Sequence, residues 1–294
     1  MDQFLQALTS GILLGGFYAV MVLGFSVIWG VMGVINLAHG EFLMIGAYFA
    51  WFLFRQFGID PFLSLIIVIP VMFLVGYALQ KVLINRVVER PHLISLLVTF
   101  GLSIALANLF KLIFSANPRT VSVAYNGSVA LGGITLPIVK TIIMVLALVI
   151  MLSLFLFLQY TRLGKSIRAA AQNKNAARIV GIEVGEVYAI TFGICIALTA
   201  AAGAMISTTN PIFPFMGPPF ALKAFTITAL GGLGRIPGAL LGGVLLGVIE
   251  LMVATYVPGI GTNLGIAVSF ILLVVILVVR PQGLLQGLRP MEVD

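Results

Sequence analysis

Charge is the scarcest property of this sequence. Only 9% of its 294 residues are Asp, Glu, Lys or Arg, against 61% hydrophobic, and the mean hydropathy is +1.19. A soluble domain carries about 25% charged residues. Water is therefore excluded as the main solvent, and a chain that buries itself in a lipid bilayer takes its place. Cysteine is limited to Cys195, inside an apolar run, which excludes a disulfide framework and suggests no redox chemistry. The two histidines, His39 and His92, are far apart. With no HExxH, no Cys/His metal set and no serine elbow, neither a metal centre nor a hydrolase is expected. Leu163-Gly-Lys-Ser166 looks like the tail of a phosphate loop, but that motif needs glycine where Gln159 stands. No ATP site, no cofactor and no enzymatic activity are expected of this chain by itself.

What is present is oil interrupted by short polar loops. About nine apolar segments can be read, near 9–31, 41–57, 61–84, 93–114, 137–160, 187–208, 219–233, 237–257 and 262–280. The expectation is a single all-α, polytopic helical membrane domain over 1–294, with about eight to ten spans. The first segment lacks a basic lead-in and a small-residue cleavage site, so it reads as a retained span. The seventh is short and ends in Gly231–Gly232, so re-entrant or broken helices are expected. The net charge of +7 sits in loops between spans, where it sets topology and does not call for nucleic acid. Lys81, Arg86 and Arg90 form one basic loop, residues 162–178 a second, and Arg280 and Arg289 a third. With nine spans all three share one side, which the positive-inside rule makes cytoplasmic, with the N-terminus outside and the C-terminus inside. The 115–136 loop is then extracytoplasmic, and its Asn-Gly and Gly-Gly signals predict a small hairpin.

Small residues recur four apart at Gly11/Gly15, Gly238/Gly242, Gly243/Gly247 and Gly261/Gly265. That spacing lets helix backbones approach closely, either within the chain or against a second membrane subunit. The heptads Phe100–Leu106 and Phe192–Leu198 are alike, a weak hint of a duplicated half.

Polar residues inside apolar segments are costly unless paired or facing a cavity. Val34–Glu41 is the densest case. Gly30, Gly33 and Gly40 bracket it, so a continuous helix is not expected to survive there. Asn36, His39 and Glu41 then either line a wet path or gate, or His39 and Glu41 cap a helix end. Lys223, Arg235 and Glu250 form a second, dispersed set, in which Glu250 wants Lys223 or Arg235 as partner; Lys223 and Glu250 remain path candidates. Lys111 reads as a residue snorkelling to the interface. The one wet stretch is 161–186, with Lys165, Arg168, Gln172 and Asn175 on the polar face of a short amphipathic helix. Three readings stand: the membrane subunit of an ATP-driven transporter docking a separate ATPase, a self-sufficient ion-coupled carrier using His39, Glu41 or Glu250, and a channel or structural protein.

Asn175-Ala-Ala-Arg-Ile-Val-Gly181 resembles the EAA-xxx-G signature of ATP-binding-cassette (ABC) importer permeases, with Asn175 replacing the acid. Gly30–Tyr48 and Lys223–Ala239 resemble the N- and C-terminal signatures of the branched-chain amino acid branch. Arg86-Val-Val-Glu-Arg-Pro91 and Arg280-Pro-Gln-Gly283 also fit. Departures are Arg235, where the family has serine, and Asn85, where it has an acid. The resemblance implies a bacterial inner-membrane permease without a cofactor. It implies as partners a second homologous permease, two cytoplasmic ATP-binding subunits, an extracytoplasmic amino-acid-binding protein and the lipid bilayer. It makes 161–186 a cytoplasmic coupling loop whose Lys165, Arg168, Asn175, Ala176, Ala177 and Gly181 dock the ATPase. Similar permeases move urea or short amides, which stands as the alternative cargo.

Overall fold

A computed structural model describes residues 2–131, 133–232, 234, 236–257 and 264–279. Among the described residues, nine apolar helices fall on the nine apolar segments. They are α1 (Asp2–Met32), α2 (His39–Phe57), α3 (Leu65–Val82), α4 (His92–Phe114), α5 (Ile138–Tyr160), α8 (Val184–Ile206), α9 (Gly217–Gly231), α10 (Ile236–Tyr256) and α11 (Leu264–Val279). Two short polar helices, α6 (Arg162–Gln172) and α7 (Lys174–Ile179), lie between α5 and α8. By length and composition six of these, α1, α3, α4, α5, α8 and α10, can cross a membrane. α2, α9 and α11, of 19, 15 and 16 residues, are not among those six. The chain is a multi-pass helical membrane protein.

α1 and α8 form the centre. Their most apolar stretches are 89% and 83% buried, against 28%, 22% and 22% for α3, α4 and α5, which form the periphery. The cause is side-chain size. Ala200, Ala201, Ala202 and Ala204 of α8 are fully buried, and Gly203 abuts the Leu43 carbonyl of α2. A seam of the same kind joins α1 to α10. A Cβ on Gly243 would lie 2.8 Å from the Ala19 nitrogen, and one on Gly247 2.6 Å from the Gly11 carbonyl. Gly11, Gly15, Gly243 and Gly247 therefore pack within the chain, as do Gly238 and Gly242 against α9. Gly261, of the fourth pair, lies outside the described residues. The two similar heptads fall on helices in opposite environments, peripheral α4 and central α8.

The polar loops gather in two groups. In one, Lys81 pairs with Glu186 at 2.8 Å, the Tyr77 hydroxyl donates to Glu186 at 2.5 Å, and Arg178 pairs with Glu89 at 2.5 Å. These bonds join the C-terminal end of α3 and the 83–91 loop to the 161–186 island, as the shared-side topology expects. In the other, Gln6 donates to the Thr135 carbonyl at 2.8 Å, and the Tyr125 hydroxyl donates to Asp60 at 2.6 Å. Arg119 and Ile212 exchange backbone bonds at 2.8 Å. Burial, followed by the bond to Asp60, pushes the Tyr125 phenol up, so it stays a donor. The expected hairpin is present: β1 (Ser128–Leu131) runs antiparallel to β2 (Ile134–Pro137), with Gly133 at φ +87 in the turn. Arg280 and Arg289 lie outside the described residues.

Candidate functional site

The break between α1 and α2 builds the site. Gly33 takes φ +65 just after α1, a conformation suited to glycine, and residues 33–36 leave the helix. Asn36 then turns the chain back. Its side-chain oxygen accepts from the Ala38 nitrogen at 3.1 Å, and its carbonyl accepts from the His39 nitrogen at 3.2 Å. α4 staples the irregular stretch: Thr99 Oγ1 accepts from the Leu37 nitrogen at 3.2 Å and lies 3.0 Å from the Ile35 carbonyl, to which it donates. The His92 ring meets the Gly33 carbonyl at 3.0 Å. Sequence reading missed this face of α4. Its signal was the spacing of Ser95, Thr99 and Ser103, all buried on one helical face.

α2 begins inside the bundle. His39 Nε2 meets the carbonyl of Met21, within α1, at 2.8 Å, and its Nδ1 lies 3.4 Å from the Thr199 hydroxyl of α8. Phe25 packs edge-on against its ring. His39 is thus fully enclosed between α1 and α8, and it satisfies a backbone carbonyl of α1 instead of capping its own helix. Glu41, 1% exposed, faces the other way. Ser103, midway along the 23-residue α4, donates to its Oε1 at 2.8 Å. Its carboxylate also lies directly against Gly217, the first residue of α9. Two helix N-termini therefore flank this carboxylate, which offsets part of the cost of burying it.

Asn36, Glu41 and Ser103 all line a cavity of about 710 Å³. Among the other lining residues only Asn108 is polar; the rest is apolar, with Phe25, Phe100, Phe215 and Phe225 prominent. The structure brings Asn36 and Glu41 together there and leaves His39 outside.

Lys223 and Glu250 belong elsewhere. Lys223 donates to Glu250 at 2.5 Å and to the Tyr18 hydroxyl at 2.6 Å, and Tyr18 donates to the second Glu250 oxygen at 2.6 Å. Both charged side chains are 11% exposed. This closed triad ties α1, α9 and α10, borders no part of the cavity, and realises one of the two pairings expected for Glu250. Lys223 is buried and does not reach the interface. Arg235, the other expected partner, lies outside the described residues. Lys111 sits over the Phe215 ring, 5.8 Å from its centroid.

The island differs from the single amphipathic helix that periodicity suggests. Asn173 leaves helical geometry at φ −155 and ψ 101, and its side chain accepts from the Asn175 and Ala176 nitrogens at 3.0 Å each. It caps α7 and splits the island in two, so Asn175 does not continue the Lys165–Arg168 face. Lys165, Asn175, Ala176 and Gly181 are exposed. Arg168 is half-buried and donates to the Gln159 side chain at 3.2 Å. Ala177, 3% exposed, braces α7 against the bundle. Gly181, at φ +85, turns the chain just past the end of α7. Ile179, to which the sequence pattern gave no role, and Val180, expected on the apolar side of the island, project 86% and 74% exposed.

A profile of the family described as branched-chain amino acid transport system / permease component matches residues 7–277. The high-affinity branched-chain amino acid transport system permease protein LivH of Salmonella typhimurium is 32% identical over 96% of this chain and 95% of its own. BraD of Pseudomonas aeruginosa, which carries the same description, is 33% identical over 96% of each. The ribose import permease protein RbsC of Escherichia coli is 32% identical over 34% of this chain and 33% of its own. No solved structure matches. The alignment runs through the α1–α2 break, the island and the α9–α10 turn alike, and the chain belongs to the branched-chain amino acid transport system permease family.

Proposed function

We propose that this chain is a membrane subunit of an ABC importer that forms, with a second homologous permease, the path for branched-chain amino acids across the bacterial inner membrane. The observation that supports this best is the cavity at the broken helix. A branched-chain amino acid is an apolar body with two small charged ends, and the cavity is an apolar chamber with a few polar groups in its lining. The names of the full-length relatives point to the same cargo.

Hydrolysis of ATP belongs in this reading to two separate cytoplasmic subunits, and delivery to an extracytoplasmic binding protein. The basic 83–91 loop and the island face the cytoplasm, and the N-terminal end of α1 faces outward. The ATPases grip the island through Lys165, Asn175, Ala176 and the exposed Ile179 and Val180. Their closure moves the island, and the two permeases rock so that the cavity opens to one side and then the other.

Docking is tested by co-purification. Replacing Ile179 and Val180 together by Asp should strip the ATPase subunits from the complex while membrane insertion is unchanged. Retention at wild-type yield would count against the island as the docking surface.

A further inference from the structure

We propose that the cavity recognises the charged backbone of a free amino acid, its ammonium on Glu41 Oε2 and its carboxylate on Asn36 Nδ2, so that the permease itself selects α-amino acids over neutral amides. The inference rests on the importer reading above and assigns recognition to two atoms within it.

Those two atoms are buried and have no hydrogen-bond partner. Buried polar groups are almost always satisfied, so an unsatisfied donor and an unsatisfied acceptor on two residues that line one cavity point to something that fills both. Each side chain is already held by its other half. Asn36 Oδ1 is taken by the Ala38 nitrogen, which fixes the amide so that only N–H groups are left to offer. Glu41 Oε1 is taken by Ser103, which leaves Oε2 as the free acceptor. Gly217 stands directly against that carboxylate, where a Cβ would collide with it, so the carboxylate sits in a fixed seat.

No cation of this chain answers Glu41 among the described residues. Lys223 is committed to Glu250, and His39 bonds the Met21 carbonyl on the far side. A ligand ammonium supplies the missing charge, and a ligand carboxylate supplies the acceptor that Asn36 lacks. The rest of the wall suits an apolar side chain, and about 710 Å³ exceeds what a single amino acid needs. Urea or a simple amide brings no ammonium and leaves the Glu41 charge uncompensated.

The test uses the complete complex in proteoliposomes, with labelled leucine as cargo and ATP inside. Two variants keep the local fold. Glu41→Gln removes the charge at constant shape. Asn36→Asp keeps the oxygen that accepts from the Ala38 nitrogen but replaces the free donor with an acceptor. Each should lower leucine uptake by roughly tenfold or more, as loss of a charge-assisted hydrogen bond does, with the complex still assembled. Wild-type leucine uptake with both variants equally active would overturn the inference and leave the importer reading standing. Wild-type uptake of labelled urea but not leucine would overturn both.

Discussion

Lys223, Tyr18 and Glu250 satisfy one another completely, and that makes them a sensitive point in the bundle. Removing one member of a buried pair leaves an uncompensated charge and costs about 3–5 kcal/mol, whereas replacing both charges by apolar groups is often close to neutral. Lys223→Met should therefore lower the thermal unfolding midpoint in detergent sharply, and the double replacement Lys223→Met with Glu250→Leu should recover most of the loss. Equal midpoints for wild type and the single variant would show that the triad holds nothing. Thr99 is a second such point, because one hydroxyl serves both Ile35 and Leu37 of the break. Thr99→Val should cost about 1–3 kcal/mol and speed hydrogen exchange at the Leu37 amide; unchanged exchange there would refute the staple. The need of Glu250 for a partner was legible from its place inside an apolar run. Tyr18 was not, since a tyrosine 232 positions away leaves no local trace.

At the scale of elements, the island is held by contacts the sequence did not announce. Arg178 of α7 reaches Glu89 in the 87–91 loop. The hydrogen bond from Arg178, and then its charge, hold the Glu89 carboxyl below its ordinary value of 4.5. The folded pKa is thus depressed. The latch is complete above the ordinary carboxylate value and is lost as pH falls through the folded one. Both groups are exposed, so salt weakens it as well. A spin label at Ala176→Cys should become more mobile on acidification, and Glu89→Gln should show that mobility already at pH 7. Cys195 is fully buried and stays unlabelled. Label mobility that ignores both pH and the variant would refute the latch. Helical periodicity ran through Asn173 as though it were an interior residue. Its capping role depends on backbone torsion, which periodicity does not carry. The helix break at Gly33, by contrast, was legible from glycine spacing alone.

Over the whole molecule, hydropathy and loop charge outlined nine apolar helices and a two-ended bundle, because both follow from the solvent and not from packing. Which helices are central did not follow. α4 and α8 are both apolar and share a heptad, yet the run of alanines and glycines in α8 lets α1, α2 and α3 close on it. α4 keeps larger residues such as Leu97 and Leu112 exposed. The candidate site was half legible. Asn36 and Glu41 stood out as polar residues at a break, but only the fold separates them from His39, and only the fold brings Ser103 to them. As a proposed importer subunit, this chain should conduct leucine only when ATPase partners drive it. The most direct test is labelled leucine uptake into proteoliposomes holding the chain alone or the chain with the second permease, the ATPases and the binding protein. ATP-dependent uptake is expected of the complete assembly, and none of the lone chain under a proton gradient. Proton-driven uptake by the lone chain would contradict it.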